Sequence, residues 1–128
     1  MPSEADMFRM IPIIADVLNN TMDEILTDAC WCISYISDGG ARTIPRIMES
    51  GVTERLVQLM AHPNSGVAIP SLRSIGNFVT GADEQTDVVL NNGVLQVLDS
   101  LLEHQEQMIR KETVWTISNI CAGNSSQV

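Results

Sequence analysis

Positive charge is scarce in this chain. Seven Lys and Arg stand against sixteen Asp and Glu, giving a formal charge of −9 and a pI near 4.4. That balance argues against nucleic-acid and anionic-membrane binding, which both need a basic surface, and suits a cationic partner. Aromatic residues are few as well, two Trp, two Phe and one Tyr, so aliphatic side chains and the seven Met must fill the core. Cys30, Cys32 and Cys121 form no CxxC pair and have no His nearby. Each falls inside a helical apolar pattern, which reads as small core residues in a reducing compartment. No apolar run approaches the roughly 18 residues of a membrane span. Met1-Pro2-Ser3-Glu4-Ala5-Asp6 also lacks the charged-then-apolar order of a signal peptide. The expectation is a soluble, intracellular chain. At 128 residues, 45% hydrophobic and with a mean hydropathy of +0.10, it has enough material for one domain with a core.

What the chain has in abundance is repetition. Trp31-Cys-Ile-Ser-Tyr35-Ile-Ser-Asp-Gly39, Arg73-Ser-Ile-Gly-Asn77-Phe-Val-Thr-Gly81 and Trp115-Thr-Ile-Ser-Asn119-Ile-Cys-Ala-Gly123 align without gaps. Each step is 42 residues, and the same step carries Gly51-Val52 to Gly93-Val94, Leu56 to Leu98 and His62 to His104. Within one period the pattern is helical: Val52–Met60, a break at Pro63-Asn64-Ser65, then a longer helix over Val67–Thr80 with Leu72, Ile75 and Val79 on one stripe. Asp83–Asn91 reads as a short further helix, and Gly39, Gly81 and Gly123 stand where left-handed caps would end the long helices. No segment has the alternation of a strand. The expected fold is all-α, an α-solenoid of about three 42-residue repeats whose units bury their apolar faces against neighbours. Residues 1–8 are expected to be a disordered acidic terminus and 9–128 the array: a partial repeat 9–39, repeats 40–81 and 82–123, and a tail 124–128.

The Trp and Tyr residues occupy two phases of this repeat. Trp31, Arg73 and Trp115 share the first; Tyr35, Asn77 and Asn119 share the second, four residues on. A fully buried position does not readily exchange Trp for Arg, because an unpaired buried charge is costly. The adjoining stripes, Leu72/Ile75/Val79 and Val114/Ile117/Cys121, already supply a core face. The Trp/Asn phase is therefore expected to face solvent as a file of pairs along the stacked helices. An Asn amide can clamp a peptide unit through its N–H and C=O. Indole faces form slots for the stems of Lys or Arg and attract their charge. Asp28 and Glu112, each three residues before a Trp, place acids at two slots; the middle unit has Pro70 and Arg73 there instead. Lysine-accepting pockets are thus expected on the outer units, interrupted between them by Arg73.

These residues resemble the armadillo repeats of importin-α (karyopherin-α), the adaptor that binds nuclear localisation signals. The segments Thr27–Tyr35, Ser71–Gly81 and Trp115–Asn119 carry the likeness, which covers about residues 9–128 and is closest to the fifth to seventh repeats of that family. The resemblance implies a right-handed armadillo solenoid. It implies that Trp115 and Asn119 form the slot and clamp of a minor signal site, with Ser118 beside them. Asn77, Val79, Thr80 and Gly81 would line the same groove, and Asp83, Thr86 and Glu112 would contact basic side chains. Arg73 and Tyr35 would touch the spacer of a bipartite signal, while Asp28 and Trp31 would border the major site. It implies cargo peptides rich in Lys and Arg, and a life in cytoplasm and nucleus. The basic segment through which the family recruits importin-β is not in this sequence, so no direct importin-β recruitment is expected.

No enzyme is expected. His62 and His104 share a phase near a helix end without a nucleophile, and no GxSxG, phosphate loop or HExxH is present. No cofactor or metal is expected: Asp83-Glu84 with Asp87 lacks the spacing of an EF-hand. The competing functional reading is an armadillo scaffold for protein–protein assembly that binds no nuclear signal. The apolar ends of a short solenoid, including Met10–Leu18, are expected to favour homo-oligomers.

Overall fold

The structure, a computed structural model, describes residues 3–38, 42–80 and 83–123. Among them are eight α-helices and no strand. A pair, α1 (Glu4–Val17) and α2 (Asp23–Asp38), is followed by two triplets: α3 (Thr43–Glu49), α4 (Thr53–Leu59) and α5 (Ser65–Phe78), then α6 (Asp83–Asn91), α7 (Val94–Leu101) and α8 (Gln107–Gly123). None of these helices is long and apolar enough to cross a membrane.

The 42-residue step survives in three dimensions. Gly51 and Gly93 both take left-handed backbone, at φ +83° and +77°, where the chain turns into α4 and α7. His62 and His104 each accept a hydrogen bond on Nδ1 from the backbone N–H two residues on, Asn64 and Glu106, both at 3.0 Å. These histidines pin the turn that leads into each long helix.

Three long helices lie side by side, with α5 between α2 and α8 in the two most extensive interhelical contacts among the described residues. Leu72, Ile75 and Phe78 of α5 are fully buried, as are Leu56, Met60, Leu98 and Ile109 around them. Burying each such side chain stabilises the fold by about 1.5–3 kcal/mol.

Several expectations are corrected. The long helix begins at Ser65 instead of Val67, because the Asn64 side chain accepts from the Gly66 N–H at 2.9 Å and caps the helix two residues early. It ends at Phe78 because Thr80 N–H bonds back to Asn77 C=O, tightening the last turn. Residues 4–8 are not a loose terminus: Ser3 caps α1 by accepting from Asp6 N–H, Met7 and Phe8 pack on the core, and the Arg46 guanidinium lies 4.6 Å over the Phe8 ring. Gly123 is the last residue of α8, not a cap beyond it; Gly39 and Gly81 lie outside the described residues.

The cysteines and the third apolar stripe also divide. Cys30 is buried and receives the Ser71 hydroxyl at 3.2 Å, whereas Cys32 and Cys121 are exposed. Val114 is 56% exposed and Ile117 half-buried. For Cys30 and Val114 the cause is the cover of a neighbouring helix. Cys30 and Val114 share a repeat phase, but α5 covers Cys30 and no described helix covers Val114.

Candidate functional site

The candidate site is built where the three long helices meet, and its first element is a hydrogen-bonded stitch between them. Asn77 Nδ2 donates to the Ser34 carbonyl at 3.2 Å and to Ser37 Oγ at 3.1 Å. Asn119 Nδ2 donates to the Gly76 carbonyl at 3.3 Å. Ser34 and Gly76 are one period apart, so each Asn reaches back to the same place on the preceding helix. A carbonyl can only accept, which fixes the amide orientation. Asn77 thereby spends both amide hydrogens internally and offers only Oδ1. Asn119 keeps one hydrogen as well. The expectation that this phase faces solvent holds for Tyr35, 66% exposed, but Asn77 is 6% exposed because α2 supplies its partners.

The second element is an open cleft of about 410 Å³ between α5 and α8, lined by Asp38, Arg73, Asn77, Met108, Lys111, Glu112 and Trp115. The Trp115 indole, 39% exposed, lies across the backbone of α5. It can do so because residue 76 has no side chain: a Cβ at Gly76 would come 2.3 Å from Trp115 Cζ3. Beside it, Arg73 grips Glu112 through two hydrogen bonds, Nε to Oε2 at 3.1 Å and Nη2 to Oε1. This is the bidentate fork that guanidinium and carboxylate form best. The bonds to Glu112 push the Arg73 pKa above its ordinary value; partial burial opposes them, and the charges of Glu112 and Asp38 assist. Arg73 therefore remains a cation.

The cleft unites Arg73, Asn77, Glu112 and Trp115 from the expected set. Ser118 is exposed and Asn119 half-buried on the same helix as Trp115. Tyr35 stacks on the half-buried Trp31, ring centroids 5.8 Å apart at 26°, four residues away on α2. Tyr35 also lines a second, mainly apolar cleft of about 400 Å³ with Met7, Met10, Ile14, Cys32, Ile36 and Asp38. Asp38 borders both clefts, so they adjoin.

Other expected residues lie elsewhere. Asp28 lines a separate polar cleft with Asp23, Glu24, Thr27 and Asn64. Val79 and Thr86 are 1% exposed, within the packed interior. Thr80 donates its hydroxyl to the Asn77 carbonyl at 2.6 Å, and Asp83 is half-buried at the start of α6. Gly81 is outside the described residues. Among the described residues no three His, Cys, Asp or Glu side chains converge as a metal site.

Three lining residues went unforeseen: Asp38, Met108 and Lys111. Lys111 and Met108 precede Trp115 by four and seven residues, one and two turns of a helix, so their shared face was readable. Asp38 comes from the neighbouring unit, which no spacing within a helix reveals. The four charged lining residues, two of each sign, make the cleft charge-balanced despite the acidity of the whole chain. It offers an aromatic face, an acceptor at Asn77 and carboxylates at Glu112 and Asp38.

Comparison with known proteins places this geometry in a family. Residues 82–122 match the family model of the "Armadillo/beta-catenin-like repeat". Over 119 residues the chain is 46% identical to importin subunit alpha-1a of Oryza sativa subsp. japonica, covering 92% of this chain and 23% of that protein. It is likewise 46% identical over 119 residues to importin subunit alpha-4 of Arabidopsis thaliana, covering 92% of this chain and 22% of that one. A designed armadillo repeat protein solved in complex with the peptide (KR)4 superposes with a TM-score of 0.90 at 26% identity, over 98% of this chain and 54% of the design. The chain spans less than a quarter of the length of these importin subunits. With 46% identity to importin-α subunits over 92% of its length, and an armadillo-repeat fold, it belongs to the importin-α family of armadillo-repeat proteins.

Proposed function

We propose that this array binds extended peptides rich in Lys and Arg, of the kind that serve as nuclear localisation signals, and contributes to an import adaptor working between cytoplasm and nucleus. The observation that carries the reading is the single open cleft in which Trp115, Glu112, Asn77 and Arg73 meet. A basic stem can lie on the indole, its charge can meet Glu112 or Asp38, and a peptide N–H can donate to Asn77 Oδ1. The half-free Asn119 amide can both donate and accept one turn further on. The net charge of −9 supports a cationic ligand, and the designed relative bound to (KR)4 supports a peptide laid along this kind of surface. Tyr35 and Arg73 fall under a spacer between two basic clusters, and Trp31 with Asp28 at the outer one.

Titration of a bipartite basic peptide against the wild type, Trp115→Ala and Asn119→Ala tests this. Each substitution is expected to weaken binding, Trp115→Ala by about 0.5–2 kcal/mol if the contact is cation–π in kind. Equal affinity in all three proteins would overturn the reading.

The scaffold alternative draws on apolar residues elsewhere, Leu95 at 57% and Val88 at 42% exposed on α7 and α6. Under it, charge reversal in the cleft leaves partner binding intact while Leu95→Asp abolishes it. We also propose that the polypeptide self-associates through Ile13 on α1 or Val114 on α8, 63% and 56% exposed.

A further inference from the structure

Resting on that peptide-binding reading, we infer that Arg73 is a built-in competitor for the acid of this cleft: it holds Glu112 in the ligand-free chain, and a basic side chain of the peptide reaches Glu112 only by displacing it toward Asp38.

The geometry carries this in three steps. First, the fork engages both carboxylate oxygens of Glu112, through Nε at 3.1 Å and through Nη2, so the acid has no oxygen left without an ion-pair partner. Second, the pair is layered. The Glu112 side chain is 10% exposed and that of Arg73 is 42% exposed, so a ligand arriving from solvent meets the guanidinium before the acid. Third, the displaced cation has somewhere to go. Asp38 lines the same open cleft from the α2 side, while Trp115 and Lys111 border it from α8.

The position of the competitor is itself informative. Arg73 stands at the repeat phase that holds Trp31 and Trp115 in the neighbouring units. In those units the phase supplies an aromatic face; here it supplies a cation that behaves toward Glu112 as a ligand side chain would. Displacement also favours one basic residue over the other. A peptide Arg can replace one planar fork with another, whereas Lys offers a point charge in exchange for two aligned hydrogen bonds. The cleft is therefore an exchange site that admits arginine more readily than lysine.

The test is calorimetric titration of the peptide (KR)4 at low salt against the wild type, Arg73→Gln, Glu112→Gln and the double variant, each checked for helicity and melting. Arg73→Gln is expected to tighten binding roughly two- to fivefold, the scale of a solvent-accessible ion pair. Glu112→Gln should weaken it, and in the Glu112→Gln background Arg73→Gln should no longer tighten it. Nuclear magnetic resonance of the wild type supplies a readout independent of any variant's folding: the Arg73 Nε–H signal should move on saturation with peptide. Wild-type binding with an unmoved Arg73 signal, or unchanged or weaker binding by a folded Arg73→Gln, would overturn the competitor and leave peptide binding standing. No binding by any of the four proteins would overturn both.

Discussion

Trp115 owes its orientation to an atom that is missing from another helix. Because Gly76 leaves α5 bare, the indole packs on backbone and still shows 39% of its surface. Gly76→Ala should force the ring outward. The overpacking penalty of about 1–3 kcal/mol exceeds the helix gain of about 0.5–1 kcal/mol from replacing glycine, so a modest net loss of stability is expected. Chemical denaturation should show it, together with a red-shifted fluorescence component from Trp115. At the same scale the three thiols should separate. Burial pushes the Cys30 thiol pKa up, against the hydrogen bond from Ser71 and the charge of Arg55, while Cys32 and Cys121 are exposed. A disulfide reagent should titrate two thiols in the folded chain and the third only on unfolding. Below the ordinary thiol pKa of about 8.5 this burial leaves stability unchanged with pH. As pH rises past it, the unfolded thiol ionises before the folded one, so stability should fall, a trend absent in Cys30→Ala.

The helices are matched by polar stitches as much as by apolar packing. Asn77 gives both amide hydrogens to α2, while Asn119 gives one to α5. Asn77→Ala should destabilise the chain by about 1–3 kcal/mol, since it removes two buried hydrogen bonds, to the Ser34 carbonyl and to Ser37 Oγ, each worth about 0.5–1.5 kcal/mol. Asn119→Ala should be milder, because its site is half-open to water. Thermal melts of the two variants would read the difference. The 42-residue period was sufficient to find the long helices and to place Trp115, Asn119 and Arg73 on equivalent faces. It was blind to the Arg73–Glu112 pair, whose separation of 39 residues is not a period. That contact depends on how far one helix slides along the next, a quantity set by small residues such as Ser34 and Gly76. Exposure at Val114 and Cys121 was misread for a related reason: a stripe is core only where a neighbour covers it. Cap chemistry at Asn64, by contrast, is legible in the sequence, because the Pro63-Asn64-Ser65 break that ends one helix also starts the next.

For the molecule as a whole, charge and end surfaces should dominate behaviour in solution. On the proposed function, the charge of −9 should draw a basic peptide from a distance, and the association rate should drop steeply between low and physiological salt as the screening length shortens to about 8 Å. Stopped-flow fluorescence against ionic strength would show it; a flat profile would mean that contact, not field, governs capture. Sedimentation should report concentration-dependent association, weakened by Val114→Glu if the α8 face is the site of contact.

Because the Trp115 cleft borrows one wall from the unit before it, its identity resides in a junction. Excising residues 40–81 would bring α8 against α2, with Ser34 in the place of Gly76. The Trp115 ring would then meet a side chain where it now rests on bare backbone, and Glu112 would lose its guanidinium. Shortening this array by one module should therefore not yield a smaller copy of the same cleft but a different one. Anyone shuffling such modules must choose pairs of neighbours instead of single units.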